Sequence, residues 1–453
     1  MQTSQPASVA PARHHLHCIL GITFGIAVGI GTMVGSGIMR TPALIAAAVP
    51  STGLIMALWV IGGLHAALGI NNLAELATSV PKAGGPYAYA RRAFGDAIGL
   101  LVGWSDWVTY TATIAAASVS FAEFLSLLWP AAGMHKAAVA VTLQAVLYGA
   151  NAVGLRQGRV LQETTSLLKT LMLLVFVAAA VAVAWAVPVA PSRPASASVP
   201  AIGVTSVVIA YQMVVGAYSG WAAPAIFSEE NTNPGRSLPI ALALGLLTTA
   251  VLYISVNLGL LAALGAPGLG QSLLPFTRVV GAIGGPIPGA LFAVGAMVVV
   301  ASCANAVIMS GGRVLFALSR DGLLPAALQS VNKGGSPTIA FALAATLSIS
   351  LAMTGSFAFV FGLIGTLQVL IGLIVDGAFF TLRMREPALE RPFRARLYPY
   401  LPALLLAIDG ALLVLFARAD RTGVMFALGL AAACVPFAWV ARRARLRLSV
   451  VGT

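Results

Sequence analysis

The sequence predicts an all-α membrane protein that crosses the bilayer many times. Its 453 residues are 59% hydrophobic and 9% charged, with a mean hydropathy of +0.94, whereas a soluble domain carries about 25% charged residues. The apolar residues form long runs, and about 20 apolar residues suffice for one transmembrane helix. The basic residues behind the net charge of +13 lie in short loops between these runs. The charge therefore indicates membrane topology and not nucleic-acid binding.

The apolar runs predict twelve transmembrane spans. They lie at about 18–48, 53–79, 95–128, 136–154, 164–187, 201–227, 237–264, 284–316, 337–355, 358–382, 398–417 and 422–441. We divide the chain accordingly into an N-terminal tail, a first five-helix repeat, an outer linker, a second five-helix repeat, two further helices and a basic C-terminal tail, at 1–17, 18–187, 188–200, 201–382, 383–441 and 442–453.

The distribution of basic residues predicts the orientation of the chain. With the N-terminus inside, 20 of the 26 lysines and arginines fall on the cytoplasmic side, five fall outside, and Arg40 lies in the outer half of the first span. Because cytoplasmic loops of membrane proteins are enriched in Lys and Arg, both termini are predicted to be cytoplasmic, in a bacterial inner membrane.

The first span contains an interruption. The stretch Gly29–Pro42 holds four glycines, a serine and a threonine inside an apolar run. Freed backbone groups find no water in a bilayer, so a break at Gly35–Gly37 is tolerated where it lines a polar cavity. There, carbonyl groups ending one half-helix would attract an ammonium and N–H groups starting the next would attract a carboxylate. The alternative interpretation is a small-residue surface for close helix packing.

The sixth span opens the second half with a similar interruption. Small and polar residues fill Val215–Trp221, and Pro224 follows. Paired interrupted helices in matching positions of two halves are the best sequence pointer to a transporter binding site. Five spans per half is an odd number, so the halves would face opposite ways across the membrane. This arrangement predicts an inverted repeat of five plus five spans with two additional helices.

Several motifs in the same order resemble those of the amino acid–polyamine–organocation superfamily, in particular bacterial L-type amino acid permeases. They are Gly35-Ser36-Gly37-Ile38 with Thr41-Pro42, Ala74-Glu75-Leu76, Pro81–Tyr87, Gly103-Trp104, Ala217–Trp221, Glu229-Glu230 with Asn233-Pro234, Arg313-Val314-Leu315 with Arg320-Asp321-Gly322, and Arg391-Pro392-Phe393. The resemblance implies a LeuT-like fold of five plus five inverted spans with two extra helices, and an amino acid, or a related amine, bound between spans 1 and 6.

The resemblance also implies the residues of the substrate site. The carboxylate would meet the backbone at Ser36 and Gly37, with Gly35 allowing the turn, and the amino group would meet carbonyls near Met33 and Val34. The remaining candidates lie in span 6, at Gly216, Ala217, Tyr218, Ser219 and Trp221. Ala115 and Ser302 are further candidates for specificity, chosen by position alone.

Gly216 departs from the family pattern. Many members place a bulky aromatic residue before the Ala-Tyr of span 6, as a lid over the substrate. Either another aromatic, such as Tyr110, Tyr211 or Trp221, closes the site here, or the pocket accepts a larger substrate. We expect Gly216→Phe to narrow the substrate range.

Lys169 is the only lysine inside an apolar span. One interpretation is that its side chain snorkels to the inner interface. The other is that its ammonium takes the place of a sodium ion and braces span 1 near Gly29–Thr32, as the resemblance suggests. A desolvated lysine can release a proton, so both proton symport and sodium-independent exchange stay open.

Charged residues near the inner ends of the spans are candidates for an inner gate. They are Lys82, Glu229, Glu230 and Arg313, together with Arg236 and Asp321. Acids within spans are functional candidates by default, but Glu75, Asp376 and Glu123 fall near span ends, where we expect them at the interface. Asp106 lies deeper.

These features favour secondary transport over other function classes. The sequence contains no phosphate-binding ATPase loop, no paired catalytic carboxylates and no metal-ligand spacing, so we expect no enzyme activity and no cofactor. The expected partners are an amino acid, the lipid bilayer and, in a symporter, protons. An amino acid sensor on a transporter fold and a polyamine or amine antiporter are the alternatives.

Overall fold

The structure, a computed structural model, describes residues 21–82, 84–153, 158–186, 202–332 and 336–440. The predicted terminal tails and outer linker lie outside these ranges. Within them the chain forms α-helices, three short 3₁₀-helices and no β-strand. The α-helices are α1 (Ile22–Met33), α2 (Ser36–Ala48), α3 (Thr52–Ser79), α4 (Pro86–Phe94), α5 (Asp96–Leu128), α6 (Lys136–Val153), α7 (Gly158–Ala186), α8 (Val204–Tyr218), α9 (Ala223–Ile226), α10 (Pro234–Gly270), α11 (Pro275–Gly284), α12 (Pro286–Arg320), α13 (Thr338–Ala352), α14 (Phe357–Arg385), α15 (Tyr400–Ala419) and α16 (Arg421–Ala432).

Eight helices in the described ranges are long and apolar enough to cross a membrane. The bent pair of α1 and α2 makes nine if it forms a single span. The eight are Thr52–Ser79, Asp96–Leu128, Thr164–Ala182, Pro234–Gly270, Ile287–Arg320, Phe357–Arg385, Tyr400–Ala419 and Arg421–Val440.

Three predicted spans coincide with shorter helices. The helix α6 has 18 residues, and α8 and α13 have 15 each. None of the three is among the eight long apolar helices of the described chain. The all-helical, multi-span character is confirmed, whereas the number twelve and the LeuT-like repeat stay predictions.

The first interruption lies at Val34 and Gly35. The helix α1 ends at Met33, α2 begins at Ser36, and the two are bent by 40°. The break is therefore narrower than the predicted Gly35–Gly37, because Ser36 and Gly37 already belong to the second half-helix. Gly35 is packed so closely against α12 that a Cβ atom at this position would overlap the Cys303 side chain.

The second interruption follows Tyr218, the last residue of α8. Gly220 has a φ of +102°, a left-handed conformation that glycine adopts without strain. The chain then forms the four-residue helix α9. The interruption occupies only the end of the predicted stretch, since residues 215–218 are still helical.

Small residues bring α10 close to two neighbouring helices. A Cβ atom on Gly25 of α1 would lie 2.7 Å from the Cβ of Ala241, and one on Gly259 would lie 2.7 Å from the Cβ of Ala180 in α7. Such close backbone approach is how helices associate in lipid. It positions α10 beside the first interruption.

The acids that we expected at the membrane interfaces are buried within the protein. The side chains of Glu75, Glu123 and Asp376 all lie in the interior. Glu75 accepts hydrogen bonds from Arg383 Nε at 2.8 Å and from Arg391 Nε at 3.1 Å. Since a buried charge needs a partner, this pairing ties α3 to α14 and to the loop after it.

Candidate functional site

The last carbonyl groups of α1 are held by side chains from three other helices. Lys169 Nζ of α7 donates to the Gly31 carbonyl at 2.9 Å. Cys303 Sγ of α12 donates to the Thr32 carbonyl at 3.5 Å, and Tyr253 Oη of α10 lies 2.8 Å from the Met33 carbonyl. A helix end leaves carbonyls without intrahelical donors, so these contacts stabilise the interruption.

The same tyrosine connects the two interrupted helices. Tyr253 Oη also lies 3.0 Å from the carbonyl of Ala217 in α8. A hydroxyl has a single proton, so Tyr253 donates to one of the two carbonyls at a time. Thr32 Oγ1 offers a second link, since it lies 3.0 Å from the Gly220 carbonyl, but its single proton is shared with the carbonyls of Val28 at 2.8 Å and Gly29 at 3.1 Å in its own helix.

The start of α2 presents N–H groups opposite these carbonyls. Gly35 occupies the N-cap position without a capping side chain, and the first N–H groups of a helix have no intrahelical acceptor. The N-terminal end of a helix carries a positive partial charge. The end of α1 and the start of α2 therefore offer charges of opposite sign within one small region.

A cavity of about 20 Å³ lies between the two interruptions. This volume has room for about one water molecule, so a substrate requires local opening. The described lining residues are Thr32, Met33, Gly35, Ser36 and Gly37 from the first interruption, Gly216, Ala217, Ser219 and Gly220 from the second, and Tyr110, Thr113, Cys303, Val307 and Phe361 from the surrounding helices.

Phe361 of α14 occupies the space beside Gly216. A Cβ atom on Gly216 would lie 3.0 Å from the Phe361 ring, and one on Gly37 would also lie 3.0 Å from it. Sequence reasoning missed this residue, because it considered Tyr110, Tyr211 and Trp221 as the aromatics near Gly216, whereas Phe361 lies in span 10. The only indication of Phe361 in the sequence was the glycine at position 216, where many family members have an aromatic residue.

Seven of the ten predicted substrate residues line this cavity, and three do not. Tyr218 and Trp221 line a neighbouring cavity, and Val34 is completely buried beside the break. Tyr110 lines the central cavity, whereas Tyr211 hydrogen-bonds to His65 at 3.1 Å. The roles of all these residues stay predictions.

The two candidates chosen by position lie next to the lining. Ala115 and Ser302 are absent from the described lining, which contains Thr113 and Cys303 on the same helices. Both candidates therefore lie within two residues of a lining residue, and their role in specificity stays a prediction.

Lys169 is buried against the interrupted helix. Its side chain is 1% exposed, and its partner Gly31 lies within the predicted stretch Gly29–Thr32. One turn earlier on α7, Ser166 Oγ donates to the Ala27 carbonyl at 2.8 Å. These contacts place the ammonium at the interruption and not at the membrane surface.

One ion pair joins two of the predicted gate residues, Arg313 and Glu230, and a second joins the candidate Glu229 to Arg320, which was not among the candidates. Arg313 Nε lies 3.0 Å from Glu230 Oε1, and Arg320 Nη1 lies 3.5 Å from Glu229 Oε2. Arg313 also stacks over the ring of Phe227, 4.5 Å from its centroid.

The other inner candidates have separate contacts. The Lys82 side chain is exposed, and its backbone carbonyl accepts a hydrogen bond from Ser228. Asp321 accepts from Arg91 at 2.6 Å and from the Tyr87 hydroxyl at 2.8 Å. Burial, and then the nearby Asp321 carboxylate, raise the pKa of Tyr87, so Tyr87 keeps its proton and remains a donor. Arg236 lies in the first turn of α10.

A buried ion pair lies on the opposite side of the central cavity from the predicted gate residues. Arg40 Nη1 of α2 lies 2.9 Å from Glu123 Oε2 of α5 and 3.1 Å from the Leu273 carbonyl. The guanidinium also lies 5.3 Å from the centroid of the Phe357 ring of α14. Sequence reasoning placed Arg40 in the outer half of the first span but did not pair it with Glu123.

Within the described ranges, no group of three or more His, Cys, Asp or Glu side chains is placed to hold a metal ion.

Comparison with known proteins identifies relatives along almost the whole chain. A sequence model of the family described as amino acid permease matches residues 23–436. The serine/threonine exchanger SteT of Bacillus subtilis is 27% identical over 408 residues, which cover 87% of this chain and 90% of SteT. The b(0,+)-type amino acid transporter 1 of Mus musculus is 26% identical over 404 residues, 84% of this chain and 79% of the relative. The methylthioribose transporter of Bacillus subtilis is 23% identical over 403 residues, 83% of each chain.

Proposed function

The chain belongs to the amino acid permease family, and we propose that it transports small neutral amino acids across the cytoplasmic membrane by alternating access without sodium. Family membership makes it a multi-pass membrane transporter and not an enzyme. The substrate, the ion requirement and the mechanism are parts of the proposal.

The observation that carries the proposal is the cavity between the two interruptions. Carbonyls at the end of α1 and uncapped N–H groups at the start of α2 meet there. An α-amino acid has a cation and an anion separated by one carbon atom. The two helix ends offer complementary partial charges on either side of the two-residue break.

The Tyr253 hydroxyl adds a condition for binding. It already lies within hydrogen-bond distance of the Met33 and Ala217 carbonyls. A substrate ammonium would share or replace this donor, so binding would alter the link between the two interrupted helices.

The lining supports a neutral and small side chain. None of the described lining residues is charged, and the uncharged polar groups of the wall are hydroxyls, from Thr32, Ser36, Tyr110, Thr113 and Ser219, and the Cys303 thiol. Phe361 reduces the space that Gly216 would leave free. A relative with similarity over most of its length is named a serine/threonine exchanger, which favours the same substrate class here.

The position of Lys169 supports independence from sodium. Its ammonium lies 2.9 Å from the Gly31 carbonyl in a fully buried position. A fixed positive charge at the interruption would supply the attraction for backbone carbonyls that a bound cation supplies elsewhere.

Ion pairs on both sides of the cavity support alternating access. The Arg40–Glu123 pair lies on the predicted outer side, and the Arg313–Glu230 pair lies on the predicted inner side. Opening one pair while the other holds would expose the cavity to one side at a time.

Uptake by purified protein in liposomes tests this function. Labelled amino acids are offered in sodium-free buffer, with and without internal amino acid and with and without an inward proton gradient. We expect serine-sized neutral amino acids to be taken up. Uptake that requires internal substrate identifies an exchanger, and gradient-driven uptake into empty liposomes identifies a symporter. Binding without uptake or counterflow identifies a sensor and contradicts the proposal.

A further inference from the structure

A second cavity, of about 50 Å³, lies between α3, α8, α14 and α15. Its wall is mostly apolar, but it contains the ionisable side chains of His65, Asp376 and Asp409. Tyr218, the last residue of the interrupted helix α8, lines it as well. The two cavities are therefore adjacent to the same interrupted helix.

The His65 imidazole uses both ring nitrogens. His65 Nε2 lies 2.7 Å from Asp409 Oδ1 of α15, and His65 Nδ1 lies 3.1 Å from Tyr211 Oη of α8. The imidazole thus connects three helices. A histidine with partners on both nitrogens can accept a proton on one side and release one on the other.

Asp409 is paired with an ionisable side chain, His65, whereas the partner of Asp376 in the described chain is the neutral Asn72. Its Oδ1 accepts a hydrogen bond from Asn72 Nδ2 at 2.9 Å. Its Oδ2 is buried and has no hydrogen-bond partner within the described chain. An unpaired charge in the protein interior is costly, so this oxygen is suited to hold a proton.

The charges of the cavity do not balance without an additional proton or cation. The described lining has two carboxyl groups and one imidazole, and it includes no lysine or arginine. Because the imidazole is hydrogen-bonded to Asp409, it can compensate that carboxylate. The Asp376 carboxylate is left uncompensated.

Other groups on the packed helices are engaged elsewhere. Glu75 of α3 is paired with Arg383 and Arg391, and the Tyr218 hydroxyl donates to the Trp59 carbonyl. The neighbouring α4 contributes only Pro86 to the described lining, and α5 and α16 contribute no residue. The ionisable side chains of the lining, apart from the Tyr218 phenol, are those of His65, Asp376 and Asp409.

We propose that this second cavity binds the proton that drives transport, with Asp376 as its acceptor and the His65–Asp409 pair beside it. A proton from water on one side joins Asp376 Oδ2 and converts the carboxylate to a neutral carboxylic acid. It returns to water when the cavity faces the other side. This inference rests on the proposed transport function, and it leaves Lys169 as a fixed positive charge.

The Tyr211 contact offers a route from the proton to the substrate. Tyr211 and Ala217 lie on the same helix α8, six residues or about 9 Å apart. Tyr211 bonds to His65, and the Ala217 carbonyl faces the Tyr253 hydroxyl at the substrate cavity. A change in the charge of the second cavity would alter the contacts that hold α8 at Tyr211. The position of the Ala217 carbonyl at the substrate cavity would change as a result.

The test compares proton-driven transport by the wild type and Asp376→Asn in liposomes. Accumulation of labelled substrate is measured under an inward proton gradient, and an internal dye follows acidification. We expect wild-type accumulation and substrate-dependent acidification, and loss of both in Asp376→Asn. Counterflow without a gradient should persist in this variant with no dependence on pH. Asp96→Asn is the matched control, because this acid is half exposed and bonded to Arg91 outside the cavity.

Three outcomes would overturn the inference. They are wild-type exchange without acidification, gradient-driven accumulation that survives Asp376→Asn, and a requirement for potassium at constant pH. By contrast, a wild type that shows neither uptake nor counterflow of any amino acid would overturn the proposed function itself.

A spectroscopic measurement covers the case in which Asp376→Asn does not transport at all. Infrared difference spectra between acidic and alkaline pH should show the C=O stretch of a protonated carboxylic acid. This band should vanish in Asp376→Asn and shift in Asp376→Glu, with gel filtration verifying that each variant is folded. A pH-difference band that is unchanged in both variants would overturn the assignment.

Discussion

Lys169 places a single buried ammonium at the end of α1. Its ammonium is enclosed by protein and donates to a carbonyl that the end of α1 leaves without an intrahelical partner. Sequence reasoning identified the residue, because a lysine within an apolar span is unusual, but left open whether it reached the membrane surface. The contact with Gly31 depends on packing between α7 and α1, which the sequence does not encode locally.

Replacing Lys169 by methionine should abolish sodium-free uptake. The variant keeps a long apolar side chain but leaves the Gly31 carbonyl unsatisfied, at a cost of about 1–3 kcal/mol. We expect a lower thermal midpoint in detergent but a folded protein. Lys136→Met, at an exposed lysine at the start of α6, is the control. Wild-type uptake by Lys169→Met would show that the ammonium is not needed.

Phe361 and Gly216 should together determine the size of the substrate. Phe361→Ala removes the ring beside Gly216 and should admit larger neutral amino acids. Gly216→Phe alone should lose transport, and not only narrow the substrate range as the sequence alone predicts, because even a Cβ atom at Gly216 would lie 3.0 Å from the Phe361 ring. The double variant places the aromatic on α8 instead and should recover uptake of small substrates.

Competition of labelled serine by a series of neutral amino acids measures this prediction. The account is contradicted if Phe361→Ala leaves the order of competitors unchanged, or if Gly216→Phe transports as well as the wild type.

At the scale of the helices, the two interruptions were predictable but their partners were not. Glycine and polar residues inside apolar runs signal a break, because a bilayer tolerates freed backbone groups only at a cavity. The donors that hold those groups are distant in sequence. Tyr253 is separated by 220 residues from Met33, and Cys303 by 271 from Thr32. A tyrosine in span 7 carries no local mark of such a role.

The Tyr253 hydroxyl should stabilise the arrangement of α1 and α8. Tyr253→Phe removes the donor near the Met33 and Ala217 carbonyls, and an unsatisfied buried acceptor costs about 1–3 kcal/mol. We expect a lower thermal midpoint and weaker substrate binding. Tyr148→Phe serves as the control, since that hydroxyl contacts Ser348 of α13. Equal effects of the two substitutions on substrate affinity would contradict a specific role for Tyr253.

At the scale of the whole molecule, composition was sufficient for the membrane class and for the helical fold. The interruption of the first span also agreed with the structure. The number of spans depends on short helices such as α8 and α13, whose length alone does not identify them as membrane-crossing. The buried pairs Arg40–Glu123 and His65–Asp409 join residues from separate helices. Charge patterns along the sequence give no information about such pairs.

The Arg40–Glu123 and Arg313–Glu230 ion pairs should control access to Cys303, which lines the central cavity. With Cys18 and Cys434 replaced by alanine, Arg313→Ala should accelerate labelling of Cys303 by an impermeant thiol reagent from the cytoplasmic side. The Arg313–Glu230 pair is partly exposed and worth about 1 kcal/mol, which corresponds to about fivefold. Arg40→Ala should accelerate labelling from the outside, by a larger factor because its pair is more buried.

Inside-out and right-side-out vesicles distinguish the two sides. Labelling that increases equally from both sides in either variant would indicate general loosening of the helices and would contradict two separate gates.

We expect the helix ends around the cavity to recognise both charges of an amino acid. Counterflow of labelled serine in sodium-free liposomes, measured with competing analogues, tests this recognition. Unlabelled serine should compete, whereas serine methyl ester and N-acetylserine, each lacking one charge, should not. Equal competition by either analogue would show that its missing charge is not recognised and would contradict the site described here.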